Sequence, residues 1–376
     1  MASLASRNSP SAGKGVKGGL LLGNQAMKQT SEINRRLVLA ERPKGAPTSS
    51  TLRLETIPIP TPGAGEMLLR TEFLSLDPYM RGRMSAAKSY AEPVAIGEVM
   101  VGGTVAQVVS SDVEGFSEGD FVLSYSGWQD YAISNGKGVT NLGSAPAQPS
   151  WALGIMGMPG FTAYAGLKYI GQPKPGETLV VAAATGPVGA TVGQIGKRMG
   201  CRVVGVAGGE KKCRFAVETL GFDACIDHKS ESFTEQFDAA TPDGIDVYFE
   251  NVGGKVFDAV LPKLNTGARV PVCGLVSQYN ATALPKGPDR TNLLLGKILT
   301  SRITMRGFII FDDFGHKYPE FAKEMMTWLK AGEIQYREEI IDGLQSAPEA
   351  FIGLLEGKNF GKRVIRVGNS VLDETP

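Results

Sequence analysis

The sequence predicts an α/β protein with two parts, a mainly β region followed by a parallel sheet that carries helices on both faces. In residues 35 to 156, short apolar runs alternate with proline and glycine, a pattern typical of antiparallel strands and turns. In residues 157 to 337, buried-strand runs alternate with helical patterns, which indicates a parallel sheet. A chain of 376 residues is long enough for about two domains.

Residues 1 to 34 precede both parts and differ from them in composition. They are rich in Gly, Ser and Lys, contain no aromatic residue and have no acidic residue before Glu32. Such a segment cannot bury enough apolar surface to fold alone. We therefore predict a disordered tail. A targeting peptide is the alternative, although such peptides favour arginine and amphipathic spacing.

The mainly β region contains four runs that we interpret as strands. They are apolar or alternating, and they cover residues 37–39, 67–71, 99–109 and 121–123. Pro58, Pro60, Pro62, Gly63 and Gly65 separate the first two runs, and prolines and glycines in such clusters mark turns. We expect a compact, mainly antiparallel β domain.

The second region contains four continuous apolar runs that predict buried strands, at residues 178–184, 201–207, 245–251 and 269–274. Between the first two, Val188, Val192, Ile195 and Met199 repeat at spacings of four, three and four, which places them on one face of a helix. Gly200 is suited to end that helix. A helix at 347–355 and a strand at 362–367 follow near the end of the chain.

Composition argues against several functional classes. The net charge of +1 gives no overall field that would attract nucleic acid or an anionic membrane, and no apolar run approaches the roughly 18 residues that a membrane span needs. The four cysteines have no CxxC pairing, as expected of reduced thiols in a cytoplasmic protein. With two histidines in the sequence, a histidine-based metal site is not expected.

The turn after the first buried strand of the second region has the features of a dinucleotide-binding loop. Thr185, Gly186, Val188 and Gly189 lie between that strand and its helix. The glycines allow close approach of the backbone to a ligand, and the helix N-terminus offers unpaired N–H groups to a pyrophosphate. A tight turn that binds nothing is the alternative. The strand before the loop and the second strand after its helix favour a cofactor.

The end of the second strand distinguishes between the two nicotinamide cofactors. An NAD site usually places an acidic residue there to bind the ribose hydroxyls. Here Gly208 and Gly209 end the strand. Glu210 follows, but so do Lys211, Lys212 and Arg214. An open loop next to positively charged side chains suits the 2′-phosphate of NADPH. The alternative is that these charges form a solvated cluster at the start of a helix and bind no phosphate. We predict NADPH.

Four longer motifs are similar to those of a known family. They are SLDPYMRGRM at 75–84, GMPGFTAY at 157–164, YFENVGG at 248–254 and GKNFGK at 357–362. With them the chain resembles the zinc-independent medium-chain dehydrogenase/reductases, in particular the branch of leukotriene/prostaglandin reductases, alkenal double-bond reductases and bacterial curcumin reductases. The resemblance implies a co-chaperonin-like (GroES-like) catalytic domain over residues 35–156, completed by 338–376, and a doubly wound Rossmann domain over 157–337 that binds NADPH.

The resemblance also implies a metal-free site and a set of cofactor contacts. Zinc enzymes of the wider superfamily have a Gly-His-Glu ligand motif, whereas this chain has Gly97-Glu98 without the histidine. The expected contacts are Thr185, Gly186, Val188 and Gly189 at the pyrophosphate; Gly209, Lys212 and, where many relatives have tyrosine, His228 at the 2′-phosphate; Asn251 near the nicotinamide ribose; Cys273, Phe308, Ile309 and Ile310 at the nicotinamide; and Asn359 from the returning segment.

The activity implied by the resemblance is NADPH-dependent reduction of the C=C bond of α,β-unsaturated ketones and aldehydes, including curcumin-type enones. Hydride reaches the β-carbon, and negative charge then develops on the carbonyl oxygen, which needs a hydrogen-bond donor. Tyrosine is a neutral donor with an aromatic face. Tyr279 is the main candidate, with Tyr79 and Tyr90 flanking the cleft. The expected partners are a small enone and, since relatives are often dimers, a second copy of the chain.

Two other functions remain open on the sequence alone. The same cofactor loop would serve an NADPH quinone reductase, and it would also serve an NADPH-binding interaction protein without turnover. The three tyrosines and the SLDPYMRGRM motif favour the enone reductase. Within that motif, Arg81 and Arg83 are expected to make structural salt bridges rather than to steer an anionic substrate.

Overall fold

The computed structural model describes residues 33–284, 287 and 289–368. Residues 1–32, which are nearly all of the predicted disordered tail, therefore lie outside the described residues. The first strand begins at Ile33, slightly before the predicted start of the β domain. Asn34 is buried in this strand, and its Nδ2 donates to the backbone oxygen of Tyr131 at 2.9 Å.

The first part of the described chain forms mainly strands, as predicted. Its elements are β1 (Ile33–Leu39), β2 (Leu52–Pro58), β3 (Met67–Ser75), α1 (Tyr79–Arg83), β4 (Thr104–Ser111), β5 (Phe121–Ser124), β6 (Tyr131–Ser134) and β7 (Thr140–Gly143). A 3-10 helix at Pro149–Leu153 follows.

One predicted strand, at residues 99–109, is shorter at its start in the structure because β4 begins only at Thr104. The residues before it pass close to the core: a β-carbon on Gly102 would lie 2.9 Å from Leu74 Cδ1. They make a single bridge, between Val99 and Val38 of β1. Close packing around the glycine therefore replaces regular strand pairing there.

The second part of the described chain alternates strands and helices. Its elements are α2 (Met158–Ala165), which continues as a π-helix (Gly166–Gly171), β8 (Thr178–Ala182), α3 (Pro187–Arg198), β9 (Arg202–Ala207), α4 (Glu210–Glu218), β10 (Ala224–Asp227), α5 (Phe233–Ala240), β11 (Ile245–Phe249), α6 (Gly254–Val260), β12 (Leu264–Val272), α7 (Thr291–Ser301), β13 (Thr304–Gly307), α8 (Ile310–Phe314) and α9 (Tyr318–Lys330). The last elements are β14 (Glu338–Asp342), α10 (Ala347–Leu355) and β15 (Lys362–Arg366).

The mainly β part is built on a seven-stranded sheet in the order β14-β15-β3-β4-β5-β7, with β6 also paired to β3. Its pairs are antiparallel except for β14 and β15, which are parallel. The end of the chain therefore returns to the first sheet, and β14 begins at Glu338.

The second part contains a six-stranded parallel sheet in the order β10-β9-β8-β11-β12-β13. The first strand in sequence, β8, lies in the middle, and the chain continues outward first on one side and then on the other. This is the doubly wound arrangement, whose ligands bind where the strand order reverses. The predicted fold class, an α/β protein with a separate mainly β domain, is confirmed.

Both faces of the parallel sheet are covered. Along β8, Leu179 and Val181 belong to one buried cluster, and Val180 and Ala182 belong to another. Successive residues of a strand point to opposite faces, so burial on both sides explains why these strands are continuously apolar. None of the helices within the described ranges is long and apolar enough to cross a membrane.

Candidate active site and cofactor cleft

A cavity of about 920 Å³ lies at the carboxyl ends of β8 and β11, where the strand order of the parallel sheet reverses. Both parts of the protein contribute to its walls, as is common for cofactor sites. All the predicted site residues except Gly209 line it: Tyr79, Tyr90, Thr185, Gly186, Val188, Gly189, Lys212, His228, Asn251, Cys273, Tyr279, Phe308, Ile309, Ile310 and Asn359.

The glycine loop forms the floor of this cleft. Gly186 precedes α3, and Pro187 occupies its first turn, where a missing N–H costs nothing. The N–H groups of that turn have no partner inside the helix, so they can bind an anion. At Gly189 a β-carbon would collide with the backbone oxygen of Ala183, so a larger residue would displace the loop. This cradle fits a pyrophosphate.

A cationic pocket lies beyond the end of β9. Lys212, His228 and Lys229 line it, and a β-carbon on Gly208 would lie 3.0 Å from His228 Nε2. Burial and the nearby charge of Lys229 lower the pKa of Lys212, and the charge of Glu339 opposes this shift. The ammonium group of Lys212 donates to the backbone oxygen of Gly357 at 2.7 Å. The pocket fits the 2′-phosphate of a dinucleotide.

The structure changes one detail of this pocket. Gly209 is outside the cavity lining, and its N–H donates to Asp227 Oδ1 at 2.9 Å, so its amide is already engaged. Gly208 lines the cavity instead. Lys229 was not among the predicted contacts, and β10, the strand that positions it, was not among the strands predicted from the sequence.

The opposite end of the cleft is organised by Asn251. Its Nδ2 donates to the backbone oxygen of Ala182 at 2.9 Å, and its Oδ1 accepts from Cys273 Sγ at 2.7 Å. These two contacts connect the ends of β8, β11 and β12. Burial raises the pKa of the Cys273 thiol, so it stays protonated and acts as a donor. The Asn251 side chain is therefore held in place where the strand order of the parallel sheet reverses.

Glu250 shapes the loop that follows and was not predicted as a functional residue. Its side chain is buried, and its Oε1 accepts from the Tyr248 hydroxyl at 3.0 Å and from the N–H groups of Val252 and Gly253 at 2.7 and 2.8 Å. Burial raises the pKa of this carboxyl group. The contacts define the turn between β11 and α6 on the cleft wall.

The returning segment closes the cleft from the β domain. The N–H of Gly361 donates to the backbone oxygen of Thr185 at 3.2 Å, and Asn359 Nδ2 donates to the backbone oxygen of Gly361 at 2.9 Å. Next to them, Lys362 makes a buried ion pair of 2.6 Å with Asp77. The cofactor loop and the end of the chain are thus directly connected.

Tyrosines surround the outer part of the cleft. Tyr79 lies at the start of α1, Tyr90 is 58% exposed, and Tyr279 follows a 3-10 helix at Val276–Gln278. Burial raises the pKa of all three hydroxyls, so each is a neutral donor at physiological pH. Tyr125, which was not among the predicted residues, lines the same cavity. The arrangement can donate hydrogen bonds to a substrate oxygen.

Arg81 positions the loop after Tyr279 by hydrogen bonds. It is buried and donates to the backbone oxygen of Gly45 at 2.7 Å and to Asn280 Oδ1 at 3.1 Å. Arg83 donates to the backbone oxygen of Glu92 at 2.6 Å. Neither makes a salt bridge with a carboxylate among the described residues, so the expected salt bridges are replaced by bonds to neutral acceptors.

Comparisons with known proteins agree with this geometry. The model of an N-terminal domain of oxidoreductase matches residues 35–142, and the model of a zinc-binding dehydrogenase matches residues 187–330. In the part of the chain that the structure describes, no group of three or more His, Cys, Asp or Glu side chains could hold a metal ion.

Individual proteins match over almost the whole chain. The NADPH-dependent curcumin reductase of Escherichia coli (strain K12) is 65% identical over 341 residues, which are 91% of this chain and 99% of that protein. The NADP(+)-dependent 2-alkenal reductase of Nicotiana tabacum is 39% identical over 340 residues, 89% of this chain and 97% of that protein. The crystal structure of CurA from Vibrio vulnificus in complex with NADPH has a TM-score of 0.88 and 65% identity, and the match covers 89% of this chain and 100% of that one. The chain belongs to the medium-chain dehydrogenase/reductase family, in the branch that contains curcumin and alkenal reductases.

Proposed function

We propose that the protein reduces the C=C bond of α,β-unsaturated ketones and aldehydes with NADPH. The observation that carries the proposal is a single cavity that joins a pyrophosphate cradle, a cationic phosphate pocket and three neutral tyrosine donors. Relatives named as NADPH-dependent curcumin reductase and 2-alkenal reductase support it. NADPH, when bound, supplies the hydride.

The chain's own residues would hold the cofactor at both ends. Thr185, Gly186, Val188 and Gly189 would hold the pyrophosphate, with Lys212, Lys229 and His228 at the 2′-phosphate. The nicotinamide end would contact Asn251, Cys273, Phe308, Ile309, Ile310 and Asn359.

Tyr279 would stabilise the charge that develops during reduction. As the β-carbon accepts hydride, the carbonyl oxygen of the substrate becomes an enolate oxygen, and a donor that is already in place lowers the barrier. The Tyr279 hydroxyl is protonated because burial raises its pKa. Tyr79 and Tyr90 would flank the substrate, and a proton added at the α-carbon completes the reaction.

Turnover measurements test this function against its alternatives. The purified protein should oxidise NADPH in the presence of an enone and should leave a benzoquinone unchanged. Reduction of the benzoquinone instead would identify a quinone reductase. Tight binding of NADPH with no turnover of either compound would identify an interaction protein.

Lys212→Ala should weaken NADPH binding about tenfold or more, because a hydrogen bond to a charged group contributes about 1.5–3 kcal/mol. NADH lacks the 2′-phosphate, so its affinity should change little. The measurement is the dissociation constant of each cofactor. Lys211→Ala is the matched control, since it removes the same charge from an exposed neighbour outside the cavity lining. Equal weakening of both cofactors by Lys212→Ala would contradict the phosphate assignment.

Gly189→Ala should weaken binding of NADPH and NADH alike, by about tenfold, because the added methyl displaces a tightly packed loop at a cost of about 1–3 kcal/mol. The collision with the Ala183 oxygen gives the reason. Gly296→Ala in α7 is the control, since a β-carbon there meets nothing within 4 Å. Unchanged cofactor affinity in Gly189→Ala would show that the pyrophosphate binds elsewhere.

We also propose that the protein forms a homodimer through the parallel sheet. β13 lies at the edge of that sheet, where backbone groups are available to a further strand. Beside it, α7 exposes Leu293, Leu295 and Leu299 at 62%, 55% and 77%. Sedimentation equilibrium should give the mass of two chains, and the mass of one chain would contradict this proposal.

A cytoplasmic location is proposed on the state of the thiols. All four cysteines are free in the structure, and Cys201 and Cys213 are buried. Free thiols are typical of a reducing compartment. Fractionation of cells should recover the protein with cytoplasmic markers.

A further inference from the structure

Arg81 in α1 joins the mainly β part of the protein to the loop that carries Tyr279. Its Nε donates to Asn280 Oδ1 at 3.1 Å, and Asn280 directly follows Tyr279 in the chain. We propose that Arg81 and Asn280 are positioning residues that hold the Tyr279 hydroxyl in place for reduction of the substrate. This inference rests on the proposed function and adds two residues to its mechanism.

Arg81 and Asn280 act from outside the cavity. Neither is among the described residues that line the cleft, whereas Tyr279 is. Tyr79, two positions before Arg81 in α1, also lines the cleft, and residues two apart on a helix do not face each other. Arg81 therefore points away from the substrate space, and its effect on the reaction must pass through the Tyr279 loop.

The guanidinium group of Arg81 is buried and bonds to neutral acceptors. The residue is 6% exposed, and besides Asn280 its acceptors are the backbone oxygens of Gly45 at 2.7 Å and Pro43 at 3.3 Å. Burial lowers the pKa of Arg81. Burying a charge without an opposite charge beside it costs stability. Natural proteins accept such costs chiefly at functional sites, so this burial favours a role in the reaction.

The Tyr279 loop is anchored on both sides of the cleft. Before Tyr279, the N–H and the hydroxyl of Ser277 donate to the backbone oxygen of Val252 at 3.1 and 2.6 Å. After it, residues 281–284 are exposed, and loop segments with few buried contacts open most easily. The bond from Arg81 fixes the loop just before this exposed segment. The two anchors together limit the positions that the Tyr279 side chain can take.

The Tyr279 hydroxyl lies close to the backbone that follows β12. A β-carbon on Gly274 would be 3.2 Å from its oxygen. Burial raises the pKa of Tyr279, and a hydrogen bond from the N–H of Leu275 opposes this. A phenol oxygen that accepts from an N–H still has its own proton to donate. Movement of the loop would turn this proton away from the substrate oxygen, so the position of the loop matters for the rate.

Asn280→Ala tests the positioning role, because it removes the acceptor of the bond and leaves Arg81 Nε bonded to the Gly45 oxygen at 3.1 Å. With methyl vinyl ketone, kcat should fall about tenfold, since a misplacement of about 1 Å can cost about 100-fold. The dissociation constant of NADPH and the urea midpoint should stay those of the parent, because the bond lies outside the cofactor contacts and Arg81 keeps its other acceptors.

Two further variants serve as rescue and control. Asn280→Asp keeps an acceptor oxygen that can pair with Arg81, so it should recover most of the rate lost in Asn280→Ala. Asn135→Ala is the matched control, because this asparagine is exposed and lies outside the lining of the cleft. It should keep the parent kcat.

A double variant decides whether Asn280 acts through Tyr279. If it does, Asn280→Ala should cost nothing more in a Tyr279→Phe background, because residues that act as a unit have non-additive effects. The double variant should therefore match Tyr279→Phe within about twofold. A tenfold loss in both backgrounds, an unchanged kcat in Asn280→Ala, weaker NADPH binding, or no recovery in Asn280→Asp would overturn the positioning role while leaving the proposed function intact.

The proposed function fails by different results. A parent enzyme that binds NADPH but does not oxidise it with methyl vinyl ketone would overturn enone reduction itself. A Tyr279→Phe variant as fast as the parent would overturn the donor role of Tyr279, and the positioning role of Arg81 and Asn280 with it.

Discussion

Lys362→Met should lower the free energy of unfolding by about 3–5 kcal/mol, the cost of removing one partner from a buried ion pair. The side chains of Lys362 and Asp77 are 1% and 8% exposed. In the parent, Asp77 accepts from Lys362 Nζ and also from the Ser75 hydroxyl. Without the ammonium group, the carboxylate stays buried with one neutral donor. Urea denaturation with linear extrapolation measures the loss.

A double variant separates the charge from the packing. Lys362→Met combined with Asp77→Asn removes both charges at similar volume, so it should recover part of the stability lost in Lys362→Met. Lys358→Met is the matched control. That lysine pairs with Glu356 at the surface and is 71% exposed, so its loss should change stability by less than about 1 kcal/mol. A parent-like unfolding free energy for Lys362→Met would show that the buried pair is not a source of stability.

This ion pair shows which part of the site the sequence could not predict. Asp77 and Lys362 both lie in motifs that carry the family resemblance, yet they are 285 positions apart. Their contact depends on β15 pairing with β3, and strand order is not contained in local apolar patterns. The periodicity of β8, α3 and β9 is local, so the fold class and the glycine loop were predictable from the residues themselves.

The residues of the phosphate pocket could be predicted from the sequence only in part. Lys212 lines the cleft, and it could be placed there from the sequence because it closely follows the strand that ends beside the loop. Lys229 lies after β10, and it comes close to Gly208 only because β10 is placed next to β9 in the sheet. Gly209 was predicted as a contact but does not line the cleft. Its position in the sequence is suitable, but Asp227 accepts its N–H in the folded chain. Hydrogen bonds between neighbouring turns decide such details.

Tyr279→Phe should lower kcat/KM for enone reduction by about 10- to 100-fold, because loss of a donor to a developing oxyanion commonly costs that much or more. The ring remains, so packing against the cleft is kept and NADPH affinity should not change. Tyr131→Phe, which removes the same hydroxyl from a half-buried tyrosine outside the cavity lining, is the control and should keep the parent rate. A Tyr279→Phe variant as fast as the parent would remove this hydroxyl from the mechanism.

The pH dependence gives a second test of the same residue. Burial raises the pKa of Tyr279 above its ordinary value of 10.0. The donor form is the protonated one, so its contribution is present at lower pH and is lost only as the pH rises through the raised pKa. Parent and Tyr279→Phe should therefore differ by a constant factor through the neutral range, and the difference should shrink only in strongly alkaline solution. A difference that already disappears near neutral pH would mean that the Tyr279 hydroxyl is ionised there, and an ionised hydroxyl could not donate to the enolate.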